Sequence, residues 1–415
     1  MKPPTEPHGY AAVDADAAVD SAEGASDPSG FGAQFGGLYR GRRVLVTGHN
    51  GFIGSWLVLW LRALGARVAG LSLAPAGAHS HLALLDLRLP EAQCDLRDAA
   101  AVRQTVRAAD PELVFHFAGQ AHFGRARRDP ADTLQTNVMG LVHLLDALRK
   151  APGARAFVQA SSDRCYLDAG TGREFRETDR LGGLDPYSAS KACAEIVAHC
   201  YQHSVLPGSR RLAARASAEG RPALAIASVR FGNVIGGGDW NDERLVPDLV
   251  RAAVTGRPAR LHSPQLSHPW QHVLDPLAGC LLLGARLLEA PQRIARPWNF
   301  GPSEEDRLHL QAFAEAFSSA WPAVRTEFDP SAAPLVSSPR LDTRRARERL
   351  GWRPVWTGLQ AVQHTADWYR AQHEGGRVSS RAQLRAYVND ASREGLAWTG
   401  ASGVPPQLCE PRAAA

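Results

Sequence analysis

Residues 42–54, RRVLVTGHNGFIG, decide the fold, because a short apolar run leads directly into a glycine-rich turn. The β-branched and leucine residues at 43–47 predict a buried strand, and apolar residues at helical spacing follow from Gly54 to Leu64. Glycine lets a pyrophosphate approach the backbone at the start of a helix, where N–H groups are unpaired and carry partial positive charge. This stretch therefore predicts a strand–turn–helix unit that binds a nucleotide.

The rest of the first half repeats the same alternation of strands and helices. Four more strand patterns and three helical patterns are visible: strands at 66–73, 113–119, 155–163 and 223–233, and helices at 97–109, 131–150 and 187–204. Strands that alternate with helices are joined by crossovers and lie parallel. We therefore expect an α/β fold, with a Rossmann-type doubly wound parallel sheet that forms a nucleotide-binding domain at 39–233.

Four other segments depart from this alternation. From 234 to 375 the pattern is mostly helical, which predicts a smaller substrate-binding lobe with some elements crossing back to the sheet. Residues 1–38 are small, acidic and poor in core-forming residues, so we expect a disordered arm there. The segment 376–415 is rich in Ser, Gly and Pro and predicts a loosely ordered tail, and the arginine-rich stretch 206–222 predicts a long surface loop.

Composition excludes several classes of protein. The 415 residues are 44% hydrophobic and 21% charged with a net charge of +5, which is typical of a globular protein. No apolar run reaches the ~20 residues that span a bilayer, and we expect no secretory leader. Six scattered cysteines predict reduced thiols in a cytoplasmic protein, without a metal site. The arginines are spread among acidic residues, so a nucleic-acid partner is not expected.

The end of the second strand bears on the choice between NAD and NADP. Leu71-Ser72-Leu73 offers neither an acid for a ribose 2′-hydroxyl nor a following arginine for a 2′-phosphate, so NAD is only weakly favoured here. Asp95 follows a short apolar segment. Its carboxylate is suited to the adenine amine or to capping a helix, and the sequence leaves both interpretations open.

Tyr187 and Lys191 form the candidate proton-transfer pair. They are four residues apart on a predicted helix and so share one face. A nearby ammonium favours the phenolate form of tyrosine, which is the base that oxidation of an alcohol requires. Ser162 lies at the end of an upstream strand, where its hydroxyl is suited to the same substrate oxygen. Taken alone, a YxxxK pattern also occurs on surface helices.

Together these residues resemble the extended branch of the short-chain dehydrogenase/reductase superfamily. Within it, the chain is similar to the CDP-glucose 4,6-dehydratases from about residue 42 to 370, through VLVTGHNGFIGSWLVLWL, SSDRCY, DPYSASKACAE, GNVIGGGDW, RLVPD, PWQHVLDPL and LDTRRARERLGW. The resemblance implies NAD as cofactor and a nucleotide-sugar substrate. The implied cofactor-binding residues are Thr47, Gly48, Asn50, Gly51, Phe52, Ile53, Gly54, Asp95, Leu96, Ala118, Tyr187 and Lys191.

The resemblance also implies a reaction in three steps. Tyr187, assisted by Ser162 and Lys191, removes the 4-hydroxyl proton during oxidation at C4. Water is then eliminated across C5 and C6 with Asp163 as the acid, and the hydride returns to C6. The position after Asp163 holds the expected base, and the family pattern has lysine there. In this chain it is Arg164, and arginine, with an ordinary pKa above ~12, is not a ready proton acceptor.

The substrate-binding residues implied by the resemblance are Asn233, Arg244, His268 and Trp270. His268 is a second departure, because the family tends to place arginine before Pro-Trp. The two departures keep an alternative open, namely an epimerase or oxidoreductase that does not dehydrate its sugar. A nucleotide-binding protein without activity is a further alternative, which the Tyr187–Lys191 pair disfavours. By analogy, the helices at 131–150 and 187–204 predict a homodimer.

Overall fold

The computed structural model describes residues 31–75, 80–168, 170, 172–206, 223–303, 306, 308–329 and 339–400. Its centre is a seven-stranded sheet in which every neighbouring pair is parallel. The strands of this sheet are β1 Arg43–Thr47, β2 Arg67–Ser72, β3 Glu91–Gln93, β4 Leu113–His116, β5 Ala156–Ala160, β6 Ala225–Arg230 and β11 Pro297–Asn299. Their order is β11-β6-β5-β4-β1-β2-β3. The doubly wound sheet expected from the sequence is confirmed.

Helices cover both faces of the sheet, and short strand pairs lie beside it. The helices are α1 Phe52–Ala63, α2 His81–Leu84, α3 Ala99–Ala109, α4 Phe123–Arg128, α5 Pro130–Leu134, α6 Gly140–Leu148, α7 Pro186–Cys200, α8 Leu245–Val254, α9 Leu274–Glu289, α10 Pro291–Ile294, α11 Leu310–Ala320, α12 Gly358–Gly375 and α13 Ser380–Arg393. The short strands are β7 Val234–Ile235, β8 Ala259–Leu261, β9 Ser267–His268, β10 Gln271–His272, β12 Leu308–His309 and β13 Thr326–Phe328. They pair as β7 with β10, β8 with β13 and β9 with β12.

Strand β1 shows how the two faces are built. Its side chains alternate, so Val44 and Val46 enter one core while Leu45 enters the other. The first core is formed with α1 and α9, and the second with α3, α6 and α7. Both faces of β1 are buried because it is a central strand flanked by β2 and β4. A nearly continuous apolar sequence is therefore what this position requires.

Two strands of the sheet were missed by the sequence analysis. Strand β3 and strand β11 contain three residues each and carry little periodic signal. Strand β11 comes from beyond residue 234 and pairs with β6 through Trp298 and Val229. This is a case of an element that crosses back to the sheet.

The first described residues correct part of the disordered-arm prediction. Residues 31–38 include a short 3₁₀ turn, Gln34–Gly37, with Phe31 and Phe35 buried. The ring of Phe35 stacks on Trp398 with centroids 5.1 Å apart. The average composition of residues 1–38 did not indicate that these two aromatic residues pack into the core. Residues 1–30 of the predicted arm, and 207–222 of the predicted surface loop, lie outside the described residues.

The tail prediction for 376–415 is wrong as far as residue 400. Helix α13 packs through buried Leu384 and Tyr387, and Trp398 after it is also buried. The Tyr387 hydroxyl donates to Asp275 Oδ1 at 2.9 Å, which ties the tail to α9. The helix was missed because the Ser, Gly and Pro content of the whole segment was given more weight than the helical spacing of its apolar residues. Residues 401–415 lie outside the described residues.

Both long predicted helices contain a π-helical turn. Gln135–Met139 separates α5 from α6, and Tyr201–Val205 follows α7. Asn137 lies in the first turn, where its Nδ2 donates to Gln120 O and to Ser190 Oγ, both at 2.9 Å. It thereby joins the loop after β4 to α7, the helix that carries the candidate proton-transfer pair.

Candidate active site

The glycine-rich turn between β1 and α1 is packed too tightly for side chains. Gly48 has φ +74°, and a Cβ on Gly54 would lie 2.1 Å from the carbonyl oxygen of Gly48. Gly51 is the N-cap of α1 and supplies no side-chain cap. The first-turn N–H groups of α1 are therefore suited to donate hydrogen bonds to a phosphate.

Two polar side chains of this turn fix its shape instead of lining a cavity. Thr47 Oγ1 bonds to His116 Nδ1 at 2.7 Å and accepts from Ala118 N at 3.3 Å. Asn50 Nδ2 donates to Leu73 O at 2.7 Å. Thr47, Asn50 and Ala118 were predicted to bind the cofactor, and the geometry gives them contacts that support the turn from behind or from its side.

A cavity of about 500 Å³ opens in front of the turn. It brings together residues from β5, α7, the segment after β6 and the turn itself. The predicted site residues on its wall are Gly48, Gly51, Phe52, Ile53, Gly54, Ser162, Asp163, Arg164, Tyr187, Lys191, Asn233, Arg244 and Trp270. A neighbouring cavity of about 520 Å³ is lined by His268, and Asp163 belongs to the walls of both.

Tyr187 reaches this cavity from the first turn of α7. Asp185 is the N-cap of the helix, and its carboxylate accepts from Ser188 N at 3.0 Å. Pro186 occupies the first helical position. The Tyr187 ring is buried and lies 4.7 Å from the ring of Phe123, centroid to centroid. The start of α7 is thus rigid where the phenol needs to be held.

Burial has the largest effect on the phenol of Tyr187 and raises its pKa. A hydrogen bond with Ser162 and the positive charges of Arg244 and Arg164 oppose this increase, and the charge of Asp163 adds to it. From the sequence, Lys191 alone was expected to lower the pKa of this phenol. In the structure, the two arginines act on the phenol.

Lys191 lies one turn further along α7. Its Nζ is 5.9 Å from the Tyr187 ring centroid and donates to Ala160 O at 3.5 Å. Burial lowers the pKa of the amine to about 8. The amine stands at the end of β5, on the wall that faces the glycine-rich turn.

Ser162 and Asp163 follow β5 at the carboxyl edge of the sheet. The Ser162 hydroxyl donates to Asp163 Oδ1 at 2.9 Å and accepts from the backbone N–H of Arg164 at 3.1 Å. Asp163 is buried, and burial raises the pKa of its carboxyl group. A carboxyl group in this environment retains its proton more readily than one in water, as a general acid requires.

Gly232, in the segment after β6, packs against this carboxyl group. A Cβ at position 232 would lie 2.2 Å from Asp163 Oδ2, so no larger residue fits without moving the acid. The sequence analysis did not identify Gly232. The contact joins two segments that are distant in sequence, and only the pairing of β5 with β6 brings them together.

Arg164 and His268 both stand near Asp163. The guanidinium carbon of Arg164 lies 5.8 Å from the Phe123 ring centroid, and Phe123 is therefore in contact with both Arg164 and Tyr187. Burial, together with the charge of Arg164, lowers the pKa of His268 to about 4. The imidazole is consequently neutral at pH 7, while Arg164 stays charged.

The remaining predicted substrate residues, Asn233, Arg244 and Trp270, also line the first cavity. Asn233 adopts a left-handed backbone conformation with φ 52°. Arg244 Nη1 pairs with Asp239 Oδ2 at 3.1 Å. The Trp270 ring is mostly buried and packs 5.1 Å from His268 and 4.6 Å from Phe313, centroid to centroid.

Asp95 and Leu96 do not belong to the described wall of this cavity. The Asp95 carboxylate is paired with Arg97, with Nε 3.0 Å from both oxygens, and this pairing lowers its pKa. The helix-capping alternative for Asp95 is wrong, because Asp98 caps α3 by accepting from Ala100 N at 2.9 Å. Leu96 is buried in the core beneath α6.

A buried ion pair behind the site was not predicted. Arg230 on β6 donates from Nε to Glu195 Oε1 at 2.8 Å, and from Nη1 to the Tyr166 hydroxyl at 2.8 Å. Ser228 Oγ donates to the other oxygen of Glu195 at 2.7 Å. These bonds hold α7 against the sheet below Tyr187. Sequence alone does not distinguish such a pair from surface charges.

The fold and site together define a class. A doubly wound parallel sheet whose first glycine-rich turn faces a Ser162–Tyr187–Lys191 set is the arrangement of the extended short-chain dehydrogenases/reductases. The chain belongs to the NAD-dependent epimerase/dehydratase family, whose model matches residues 44–296. Its cofactor is NAD.

Curated relatives agree with this membership. The chain is 35% identical to the CDP-glucose 4,6-dehydratase of Salmonella typhimurium, over 86% of this chain and 99% of the relative. It is 28% identical to a dTDP-glucose 4,6-dehydratase of Xanthomonas campestris pv. campestris, over 78% of this chain and 92% of that protein.

Solved structures show the same architecture. The dTDP-glucose 4,6-dehydratase of Streptomyces venezuelae, solved with NAD bound, is 25% identical with a TM-score of 0.61, covering 80% of this chain and 99% of that one. The UDP-glucose 4-epimerase of Thermus thermophilus in complex with NAD is 26% identical with a TM-score of 0.62, covering 79% and 98%. In the part of the chain that the structure describes, no helix is both long and apolar enough to cross a membrane.

Proposed function

We propose that this protein is an NAD-dependent nucleotide-hexose 4,6-dehydratase that converts CDP-glucose to CDP-4-keto-6-deoxyglucose. The observation that carries the proposal is the convergence of a phenol, a buried carboxyl group and an amine on one cavity in front of the glycine-rich turn. The long match to a CDP-glucose 4,6-dehydratase favours cytidine as the nucleoside. We also propose the division into a cofactor-binding domain at 39–233 and a substrate lobe at 234–375.

The residues of the cavity fit NAD. The close approach of Gly48 and Gly54 and the uncapped start of α1 suit its pyrophosphate, and Lys191 is suited to the nicotinamide ribose. When bound, NAD accepts the hydride from C4 of the sugar and later returns it to C6. We place Asp95 and Leu96 at the adenine end, supported only by their position after β3.

Oxidation at C4 requires a base within reach of the 4-hydroxyl group. Tyr187 accepts this proton, and Ser162 holds the same oxygen. The charges of Arg244 and Arg164 assist by lowering the pKa of the phenol against the effect of burial. The ketone formed at C4 then makes the C5 proton acidic.

Elimination removes the C5 proton and the C6 hydroxyl group. Asp163 donates its proton to the departing hydroxyl, which leaves as water. Arg164 stabilises the enolate as a fixed cation, while another group or water takes the C5 proton. After hydride reaches C6, a proton returns to C5 and gives the 4-keto-6-deoxy sugar. This use of Arg164 accounts for an arginine at the position where a lysine base is expected.

The anionic half of the substrate fits between the two cavities. Asn233, Arg244 and Trp270 line the first, and His268 lines the second. Arg173 and Arg340 also line the second cavity, which suits a nucleoside diphosphate. The sequence analysis missed these two arginines because exposed arginines are common throughout this chain.

One observation favours a second candidate function. Arg164 is not a ready proton acceptor, and without elimination the 4-keto sugar would simply be reduced again. The protein would then be an NAD-dependent sugar-nucleotide epimerase or oxidoreductase. Deuterium from solvent distinguishes the two functions, because epimerisation at C4 leaves the C5 proton in place whereas dehydration exchanges it.

The test incubates purified protein and NAD with CDP-glucose, and in parallel with dTDP-glucose and UDP-glucose. We expect loss of water by mass spectrometry, and the 4-keto-6-deoxy chromophore in alkali, with CDP-glucose. The control variant Tyr187→Phe should abolish turnover and bind NAD with nearly normal affinity by calorimetry. Absence of water loss with all three sugars would contradict the proposal, and activity in Tyr187→Phe would contradict the assignment of the base.

We further propose a homodimer in the cytoplasm. Exposed apolar side chains, Leu134, Met139 and Ile196, lie along α5, the first π turn and α7, the helices expected to form the interface. The five cysteines among the described residues are unpaired, which suits a reducing compartment. Sedimentation equilibrium of the full chain measures the oligomeric state directly.

A further inference from the structure

The glycine-rich turn 236–240 after β7 is held by side chains of α1 and α12, and α12 lies outside the matched family region. Gly237 O accepts from Trp56 Nε1 at 2.9 Å, and Asp239 O accepts from the hydroxyl of Tyr369 at 2.6 Å. A Cβ on Gly237 would lie 2.0 Å from the ring of Trp368. Helix α12, which carries Tyr369 and Trp368, therefore sets the path of this turn.

A hydrogen-bond relay continues from α12 to α1. Trp368 Nε1 donates to Ser380 Oγ at 2.8 Å, and Ser380 Oγ lies 2.8 Å from His81 Nε2. His81 Nδ1 lies 2.8 Å from Ser55 Oγ, which donates to Phe52 O at 2.8 Å. An indole N–H only donates a hydrogen bond, and a carbonyl oxygen only accepts one. Each serine hydroxyl therefore donates its hydrogen bond in the same direction, from Trp368 towards Phe52.

This relay assigns the protonation of His81. Because Ser55 donates to Phe52 O, it accepts from His81 Nδ1–H, and His81 Nε2 accepts from the hydroxyl of Ser380. Burial lowers the pKa of His81 to about 3, in keeping with a neutral ring that has one donor and one acceptor. The C-terminal helices are thus bonded to the first turn of α1, where the cofactor turn ends.

The 236–240 turn also contacts Arg244, which lines the active-site cavity. The Asp239 carboxylate is buried, accepts from Asn241 N at 3.2 Å and pairs with Arg244. Arg244 in turn lowers the pKa of the Tyr187 phenol. Contacts therefore run from Tyr369 through Asp239 to Arg244, and the charge of Arg244 acts on Tyr187.

We propose that Tyr369 is a positioning residue of the active site: its hydroxyl fixes the 236–240 turn so that Asp239 holds Arg244 towards Tyr187 and the substrate diphosphate. The catalytic consequence rests on the function proposed above. The structural part, that the turn depends on the Tyr369 hydroxyl, stands independently of any substrate. The structural part and the catalytic part are each tested by a measurement of their own.

The first measurement is backbone hydrogen exchange of residues 236–244 in Tyr369→Phe. This variant removes one hydroxyl and keeps the ring that packs against Trp240 at 5.2 Å. The matched control is Tyr387→Phe, because Tyr387 is equally buried in the adjacent helix and its hydroxyl bonds to Asp275 instead of the turn. We expect faster exchange at 236–244 in Tyr369→Phe only. Equal exchange in the two variants would overturn the proposal, whether or not the protein turns over a sugar.

The second measurement is kinetic and uses the same two variants. Among the described residues, the charged groups that act on Tyr187 include Asp163, Arg164 and Arg244, and the Lys191 amine lies near its ring. Displacing Arg244 removes a charge that lowers the phenol pKa, so the acidic limb of the kcat profile should move to higher pH in Tyr369→Phe. KM for CDP-glucose should rise roughly 3- to 10-fold, the worth of one hydrogen bond.

In Tyr387→Phe we expect an unchanged pH profile and KM, even where thermal stability falls equally. Matching profiles in the two variants would refute the catalytic part of the proposal. Failure of the wild-type protein to act on any nucleotide sugar would instead refute the proposed function and leave hydrogen exchange to decide the role of Tyr369.

Discussion

Gly232→Ala tests whether the position of the Asp163 carboxyl group controls elimination. The added Cβ would lie 2.2 Å from Oδ2, 2.3 Å from Cγ and 2.6 Å from Oδ1 of Asp163, whereas ordinary contact begins at 3.4 Å. The carboxyl group would therefore have to retreat by about 1.2 Å, the difference between 3.4 Å and 2.2 Å. A misplacement of ~1 Å can cost about 100-fold in rate, so we expect a loss of that order in dehydration.

The assay separates oxidation from elimination. The three atoms nearest to the added Cβ all belong to Asp163, so the displacement falls first on the acid. We expect oxidation at C4 to persist and reduced cofactor to accumulate after substrate is added. Solvent deuterium at C5 and release of water should both fall. Gly375→Ala is the control, because the nearest atom to a Cβ there, among the described residues outside its own helix backbone, is Arg377 Nε at 3.5 Å. Wild-type dehydration in Gly232→Ala, or an equal loss of oxidation and elimination, would refute the reasoning.

Two further predictions concern charge. Arg164→Lys should preserve or raise the rate of dehydration, measured by deuterium wash-in at C5, because lysine restores a group able to take the proton; a large loss would show that the fixed cation is essential. Asp275 is buried and its pKa is raised to about 7, so the folded state binds a proton that the unfolded state releases near pH ~4. This group's contribution to the free energy of unfolding is fully present below pH ~4. It is lost as pH rises to about 7, which lowers the free energy of unfolding by up to about 4 kcal/mol. Asp275→Asn should lack this loss in urea titrations at pH ~4.5 and ~7, and an identical pH dependence in the wild type and the variant would contradict it.

Local patterns account for the part of the site that the sequence revealed. The glycine spacing at 48, 51 and 54 and the four-residue spacing of Tyr187 and Lys191 act within one turn or one helix. Their chemistry is therefore visible before the fold is known. The apolar runs of β1, β2, β4, β5 and β6 were recognisable for the same reason, since each is a buried strand with a continuous signal.

Contacts between distant residues account for what the sequence did not reveal. The Tyr369 hydroxyl meets Asp239 across 130 positions, and Arg230 meets Glu195 across 35. Neither residue type is unusual where it stands, so no local pattern marks it. Helix α13 was missed although its apolar residues follow helical spacing, because the Ser, Gly and Pro content of 376–415 favours a loose tail. The apolar face of this helix joins the same core as α1 and α9.

Arg164 also determines how the site responds to pH. Its guanidinium lowers the pKa of Asp163, Tyr187 and His268, while burial raises the first two and lowers the third. A lysine in this position would lose its charge on giving up a proton, and the field on its neighbours would change during the reaction. Arginine keeps its charge throughout the working range, so the field is constant. His268 stays neutral at neutral pH, and the activity profile should therefore report the titration of the phenol, the Asp163 carboxyl group and the Lys191 amine, whose pKa is lowered to about 8.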